Sequence, residues 1–149
     1  MKKLSAIFLV CLLVLVGCGG GGGQSKDEGL VLDYINTFVN GTDVDAKTKF
    51  VEENVHPDIK PLFALGQNNV TDESKMYKDP KVMESINYEE EGKKGTLVLA
   101  RGTVDGNEKE IIVLVMEGKI AFGFTPDGEG ELKTGYDEMR AKFKTESLK

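Results

Sequence analysis

The residues able to do chemistry are few, and their spacing narrows what they could do. His56 is the only histidine in the chain, so it is the only side chain with an ordinary titration near neutrality and the first candidate for a general base or a metal ligand. No second histidine and no recognisable serine or cysteine nucleophile accompanies it, and a catalytic constellation needs such partners. Placed directly before Pro57, where two helical stretches meet, it reads as a surface or helix-capping residue. Asp127, Glu129, Glu131 and Glu138 have the spacing of oxygen ligands at positions one, three, five and twelve of a calcium loop. Leu132 stands where that loop needs a glycine for its sharp turn, and Glu138 falls on an expected helix. The acidic run therefore reads as a solvated loop.

Glu89, Glu90 and Glu91 offer carboxylates in series. Glycoside hydrolysis needs two carboxyl groups facing each other across a sugar cleft, at roughly 5–9 Å. Consecutive residues on a strand alternate faces instead, and Lys93 and Lys94 lie opposite, so a charged hairpin tip is expected. There is no tryptophan for sugar stacking and no phosphate loop. The glycine run Gly19–Gly23 follows no strand. With 19 basic and 25 acidic residues the chain has a formal charge of −6, which supplies no basic footprint for nucleic acid. No cofactor is expected.

Cysteine usage leads to a different kind of chemistry. The chain opens with Lys2-Lys3, followed by an uncharged stretch from Leu4 to Gly17 whose centre is AIFLVCLLVLV, and then by Cys18. A basic start with a short apolar core is the layout of an export signal. Crossing a bilayer takes about 20 apolar residues, and this run stops sooner, against five glycines. Leu15-Val16-Gly17-Cys18 resembles the lipobox of bacterial membrane lipoproteins. That resemblance covers the first eighteen residues. It implies cleavage before Cys18, a diacylglycerol on its thiol, often a further acyl chain (such as palmitate) on the new amino terminus, and a place on the extracytoplasmic face of a membrane. Two or more acyl chains anchor stably where one does not.

Three segments follow from this: 1–17 as signal peptide, 18–27 as a lipidated Gly-rich tether, and 28–149 as one extracytoplasmic domain. Cleavage would remove Lys2, Lys3 and Cys11 but no acid, taking the formal charge to about −8. No cysteine would be left for a disulfide or a thiolate metal site. The domain must then be held by its core.

The elements that position these residues can be read from hydrophobic period. Leu30, Tyr34 and Phe38 form one i, i+4 row and Val31, Ile35 and Val39 the next, which predicts a helix over Glu28–Asn40 stopped by Gly41. A second helix starts near Asp43 and carries Phe50, Val51 and Val55. A short third runs through Leu62, Phe63 and Leu65 to Gly66. After a turn at Asp79-Pro80 the period becomes two. Strands are expected over Val82–Glu89, Thr96–Val104, Lys109–Met116 and Lys119–Thr125, with turns at Gly92–Gly95, Asp105-Gly106 and Glu117-Gly118. In the last strand Ile120, Phe122 and Phe124 are expected to share a face.

Leu97–Ala100 and Ile111–Met116 are apolar on both sides, so both sides of the sheet must be covered. The helices supply one cover. The other is the last segment, a partner subunit or a ligand. A final helix is expected from Tyr136 to about Thr145, with Thr134 and Asp137 at capping-box spacing. Helices followed by a bent four-stranded antiparallel meander, with a short C-terminal helix, make an α+β fold. Over Glu28–Thr125 this order looks like the cystatin-like and NTF2-like folds, and it carries no functional residue across.

Three functions fit. The first is a non-catalytic binding or interaction domain with a pocket between helices and sheet, lined by Phe38, Phe63, Phe122 and Phe124, although plain core is the simpler account of those rings. The second is a small enzyme with a polar pocket in the bent sheet. The third is a self-associating structural lipoprotein that pairs through strands 97–100 and 111–116. The partners implied are a lipid bilayer through Cys18 and a protein or a second copy through the sheet, with no nucleic acid.

Overall fold

The computed structural model describes residues 25–148. The signal segment, Leu15–Cys18 and the tether as far as residue 24 lie outside the described residues, while Ser25, Lys26 and Asp27, expected in the tether, cap and open the first helix. Helix α1 (Lys26–Tyr34) begins two residues earlier than its apolar rows suggest, because Ser25 and Glu28 close a capping box. The Ser25 hydroxyl accepts from the Glu28 N–H at 3.2 Å, and the Glu28 carboxylate accepts from the Ser25 N–H at the same distance. The helix continues through a widened turn, Ile35–Val39, closed by the Asn40 N–H on the Ile35 carbonyl at 2.8 Å. Gly41 then lets the chain leave: a Cβ there would stand 2.2 Å from the Thr37 carbonyl oxygen.

Helix α2 (Val44–Asn54) is capped by Asp43, whose carboxylate accepts from the N–H groups of Asp45 and Ala46. It ends at Val55, which is extended and makes a parallel bridge to Ile120. A single 3₁₀ turn, Pro57–Ile59, leads into α3 (Lys60–Gln67).

The remainder is a four-stranded antiparallel sheet in the order β1 (Lys78–Glu90), β2 (Lys93–Val104), β3 (Asn107–Met116), β4 (Lys119–Phe124), followed by α4 (Glu131–Arg140). The three hairpins turn on Glu91-Gly92, Asp105-Gly106 and Glu117-Gly118, and all six residues have φ between 48° and 78°. That geometry matches the right-handed strand twist and gives two-residue loops. The first hairpin is tighter than the expected Gly92–Gly95 turn. Lys93 and Lys94 belong to β2, facing Glu90 and Glu89 across the strand pair.

β1 also starts earlier than expected and absorbs Asp79-Pro80 in an irregularity between Lys78 and Lys81. A proline is tolerated there because β1 is an edge strand.

Two apolar clusters lie on opposite faces of the sheet. Val98, Ala100, Val113, Val115 and Ile120 pack under α1–α3 with Val31, Ile35, Phe50 and Phe63. Leu97, Leu99 and Ile112 pack with Tyr88 under α4 and the following chain, which contribute Tyr136 and Phe143. The last segment is therefore the second cover.

Two expectations need correction. The last helix is Glu131–Arg140 and ends well before Thr145. The Thr134 hydroxyl donates back to the Gly130 carbonyl at 3.3 Å instead of capping the helix. Ile120 also does not share a face with Phe122 and Phe124. Val115 pairs with Ile120 and Leu114 with Phe122, so Ala121 is an extra residue that reverses the alternation. Ile120 joins the helix-side cluster and Phe124 the other. Among the described residues no helix is long and apolar enough to cross a membrane.

Candidate functional site

Among the described residues, the two places that best join several buried aromatic or charged side chains to open space lie on opposite sides of the sheet's core. The first is a shallow apolar depression where the end of α1 and α3 meet the β4 edge. Tyr34 and Phe38 are one helical turn apart and stack at 5.7 Å, and Phe63 closes against Phe38 at 5.1 Å and Tyr34 at 6.0 Å. Leu62, Gly66, Phe122 and Gly123 complete the lining of a cavity of about 180 Å³. Gly123 makes the room, since a Cβ there would sit 2.9 Å from the Tyr34 hydroxyl. Burial pushes the Tyr34 phenol far above its ordinary value, with the nearby Tyr77 adding to the shift, so it is neutral at any ordinary pH.

One lining residue and a neighbour on the same helix are apolar and open to water. Leu62 is 51% exposed and Leu65, one turn along α3, is 78% exposed. Ligand pockets for small molecules run to about 300–1,000 Å³. This one is smaller, and it suits a single inserted apolar side chain. Of the four phenylalanines picked out by sequence, Phe38, Phe63 and Phe122 meet here. Phe124 lies at 4.7 Å from Phe122, but its ring turns to the second cluster, against Gly135.

The second place was not visible in the sequence reading. Glu110 on β3 is 3% exposed and lies opposite Arg101 of β2. Its Oε1 accepts from Arg101 Nε at 2.9 Å and Nη2 at 2.6 Å, and from Arg140 Nη2 at 3.2 Å. Its Oε2 accepts from Arg140 Nε and from the Tyr136 hydroxyl, both at 2.8 Å. Burial alone would raise the Glu110 carboxyl, but the hydrogen bonds from Arg140, Arg101 and Tyr136 outweigh it and hold the group below its usual range.

Arg140 is held charged by the same contact. Tyr136 is pushed far above the usual phenol value, first by burial and then by its bond to the carboxylate. A cavity of about 390 Å³ opens beside this cluster. Every lone pair of Glu110 facing a donor is already engaged, so the arrangement clamps elements together and has no free position for proton transfer.

One signal could have exposed this cluster. Arg101 and Glu110 are equidistant from the Asp105-Gly106 turn, so a two-residue hairpin puts them directly opposite. Arg140 and Tyr136, at i and i+4, then share the helix face that comes down on the pair.

The remaining sequence candidates are dispersed. His56 caps the turn that follows it, its Nδ1 accepting from the Asp58 N–H at 3.4 Å, and its backbone N–H donates to the Ile120 carbonyl at 2.8 Å. Nε2 lies 3.5 Å from the Glu117 carboxylate, which is itself 80% exposed. Asp127 accepts from Lys109 at 2.7 Å, while Glu131 opens α4 and Glu138 lies about two turns further along it. Among the described residues, no group of three or more His, Cys, Asp or Glu side chains is placed to hold a metal ion. Glu90 accepts from the Tyr88 hydroxyl at 2.7 Å, and Glu91 forms the hairpin turn. No family model, curated protein or solved structure matches this chain.

Proposed function

We propose that this chain is a membrane lipoprotein. It is anchored through Cys18 on the extracytoplasmic face, and its α+β domain is a non-catalytic interaction module. The observation that carries the interaction reading is the pair of exposed leucines, Leu62 and Leu65, beside an apolar depression sized for one side chain. Exposed apolar side chains that adjoin an open apolar recess enlarge it into a patch, and such patches mark contact surfaces. The anchor rests on Leu15-Val16-Gly17-Cys18 after a basic start and a short apolar core. The cystatin-like or NTF2-like resemblance rests on the order of elements alone.

An enzyme has less support, because the buried carboxylate is saturated by arginines and His56 sits between exposed acids. Self-association through strands 97–100 and 111–116 is also less favoured, since both faces of those strands are already covered.

The test has two parts. Intact-mass measurement on protein isolated from its own membrane should find residues 1–17 gone and acyl mass on Cys18. Photocrosslinking from Leu65 in that membrane should trap one defined protein, and the Leu62→Asp change should abolish the adduct. An unmodified Cys18, or a crosslinking pattern indifferent to Leu62→Asp, contradicts the corresponding half.

A further inference from the structure

The cover on the second face of the sheet is attached in a way that the helix-side cover is not. It hangs from loop Thr125–Gly130, and Gly130 has φ 58° and ψ −127°, a backbone region open essentially to glycine. Gly130 also occupies the N-cap of α4, where no side chain caps the helix. Between this layer and the sheet lies the cavity of about 390 Å³, lined by Glu110 of the sheet and by Pro126, Tyr136, Arg140 and Leu148.

At the far end the chain is pinned by polar contacts. The Glu84 carboxylate accepts from the N–H groups of Lys144 at 3.0 Å and Thr145 at 2.7 Å, and from the Thr145 hydroxyl at 2.7 Å. Arg140 Nη2 donates to the Thr145 carbonyl at 2.9 Å, and Arg101 donates to the Glu146 carbonyl. Underneath lie Leu97, Leu99 and Ile112, each fully sealed from water.

We propose that residues 131–148 form a hinged lid that opens as one unit about Gly130, released when the Glu84 latch and the Glu110 contacts to Tyr136 and Arg140 let go together, and bares the apolar face of β2 and β3. The three observations give it separate parts: a glycine pivot without a cap, a cavity between the layer and the sheet, and a latch of charge-assisted hydrogen bonds at the end away from the pivot. Opening breaks no strand pairing, since the four-stranded ladder is complete without α4. Partial opening of this kind, confined to one contiguous element, is a known form of local unfolding.

Hydrogen exchange on the full chain, followed residue by residue at low urea, tests the lid. Backbone N–H groups of residues 136–145 should share one opening equilibrium with a shallow urea dependence, while residues 97–100 and 111–115 exchange only with global unfolding. Glu84→Gln removes the latch charge and should speed lid exchange by about tenfold without changing the strands. Equal protection and equal urea slope in lid and strands would overturn the lid. So would graded fraying from the carboxyl end, or a Glu84→Gln effect that is absent or shared by the strands.

Discussion

The two faces of one sheet are sealed by different physics. Under α1–α3 the cover is mainly shape: Val31, Ile35, Val98, Val113 and Ile120 are fully buried. Its charged groups make separate contacts, Asp27 and Glu28 accepting from the Thr96 and Ser85 hydroxyls and Lys47 donating to the Asn69 carbonyl. Under α4 a smaller apolar cluster is supplemented by a carboxylate bound to two arginines and a tyrosine. Packed hydrocarbon stabilises by area and tolerates small shifts in position. A buried ion cluster fixes geometry, and it fails sharply when one member is lost, because the others are left charged and unpaired. The same sheet thus has one face held by bulk and one held by a clamp.

The comparison can be broken most severely at Glu110. Glu110→Ala leaves Arg101 and Arg140 without their carboxylate and should cost about 3–5 kcal/mol in urea unfolding. A loss under 1 kcal/mol (roughly the worth of an exposed pair) would place the cluster among surface ion pairs.

Acid should act next. The Glu110 carboxyl is held below its unfolded-state value, so its contribution is complete above that value, near pH 4.3–4.5. It is lost as pH falls through the lower folded value. Glu84, held down by Thr145 and Lys144 against the opposing effect of burial, behaves in the same direction. Far-UV and tyrosine signals on acidification should report loosening around Tyr136 before the helix-side core, and Glu110→Gln should flatten that early phase.

Ile35→Val removes one methylene from the shape-held face and should cost about 0.5–1.5 kcal/mol, visible as a shift in the urea midpoint without acid dependence. The smallest effect belongs to the exposed rim. Leu65→Ser should change stability by no more than about 0.5 kcal/mol, so any loss of partner capture in that variant reports on contact and not on folding.

The shape-held face was largely legible in the sequence. Rows at i, i+4 from Leu30 to Val39 identify α1, and dipeptides such as Asp105-Gly106 set the hairpins. Two-sided apolar strands announce that a second cover exists. The clamp-held face was legible only in part: the hairpin register pairs Arg101 with Glu110, but the rest of the cluster is a matter of distance and geometry. Arg140 is thirty positions from Glu110, and nothing local in either stretch encodes that meeting. The bulge at Ala121 adds one residue without any glycine or proline signal, yet it reverses which face Ile120 occupies relative to Phe122. The depression was partly foreseen: Phe38, Phe63 and Phe122 line it or close against its rings, whereas Phe124, further along the strand, packs against Gly135 of α4.

A double-mutant cycle on Glu110 and Arg140 reads the clamp most directly, with unfolding free energies for Glu110→Ala, Arg140→Ala and the pair. Side chains in one buried network should couple by about 0.5–3 kcal/mol, the double variant costing less than the two singles together. Strict additivity, within about 0.3 kcal/mol, would mean that the second face is held by its apolar cluster alone.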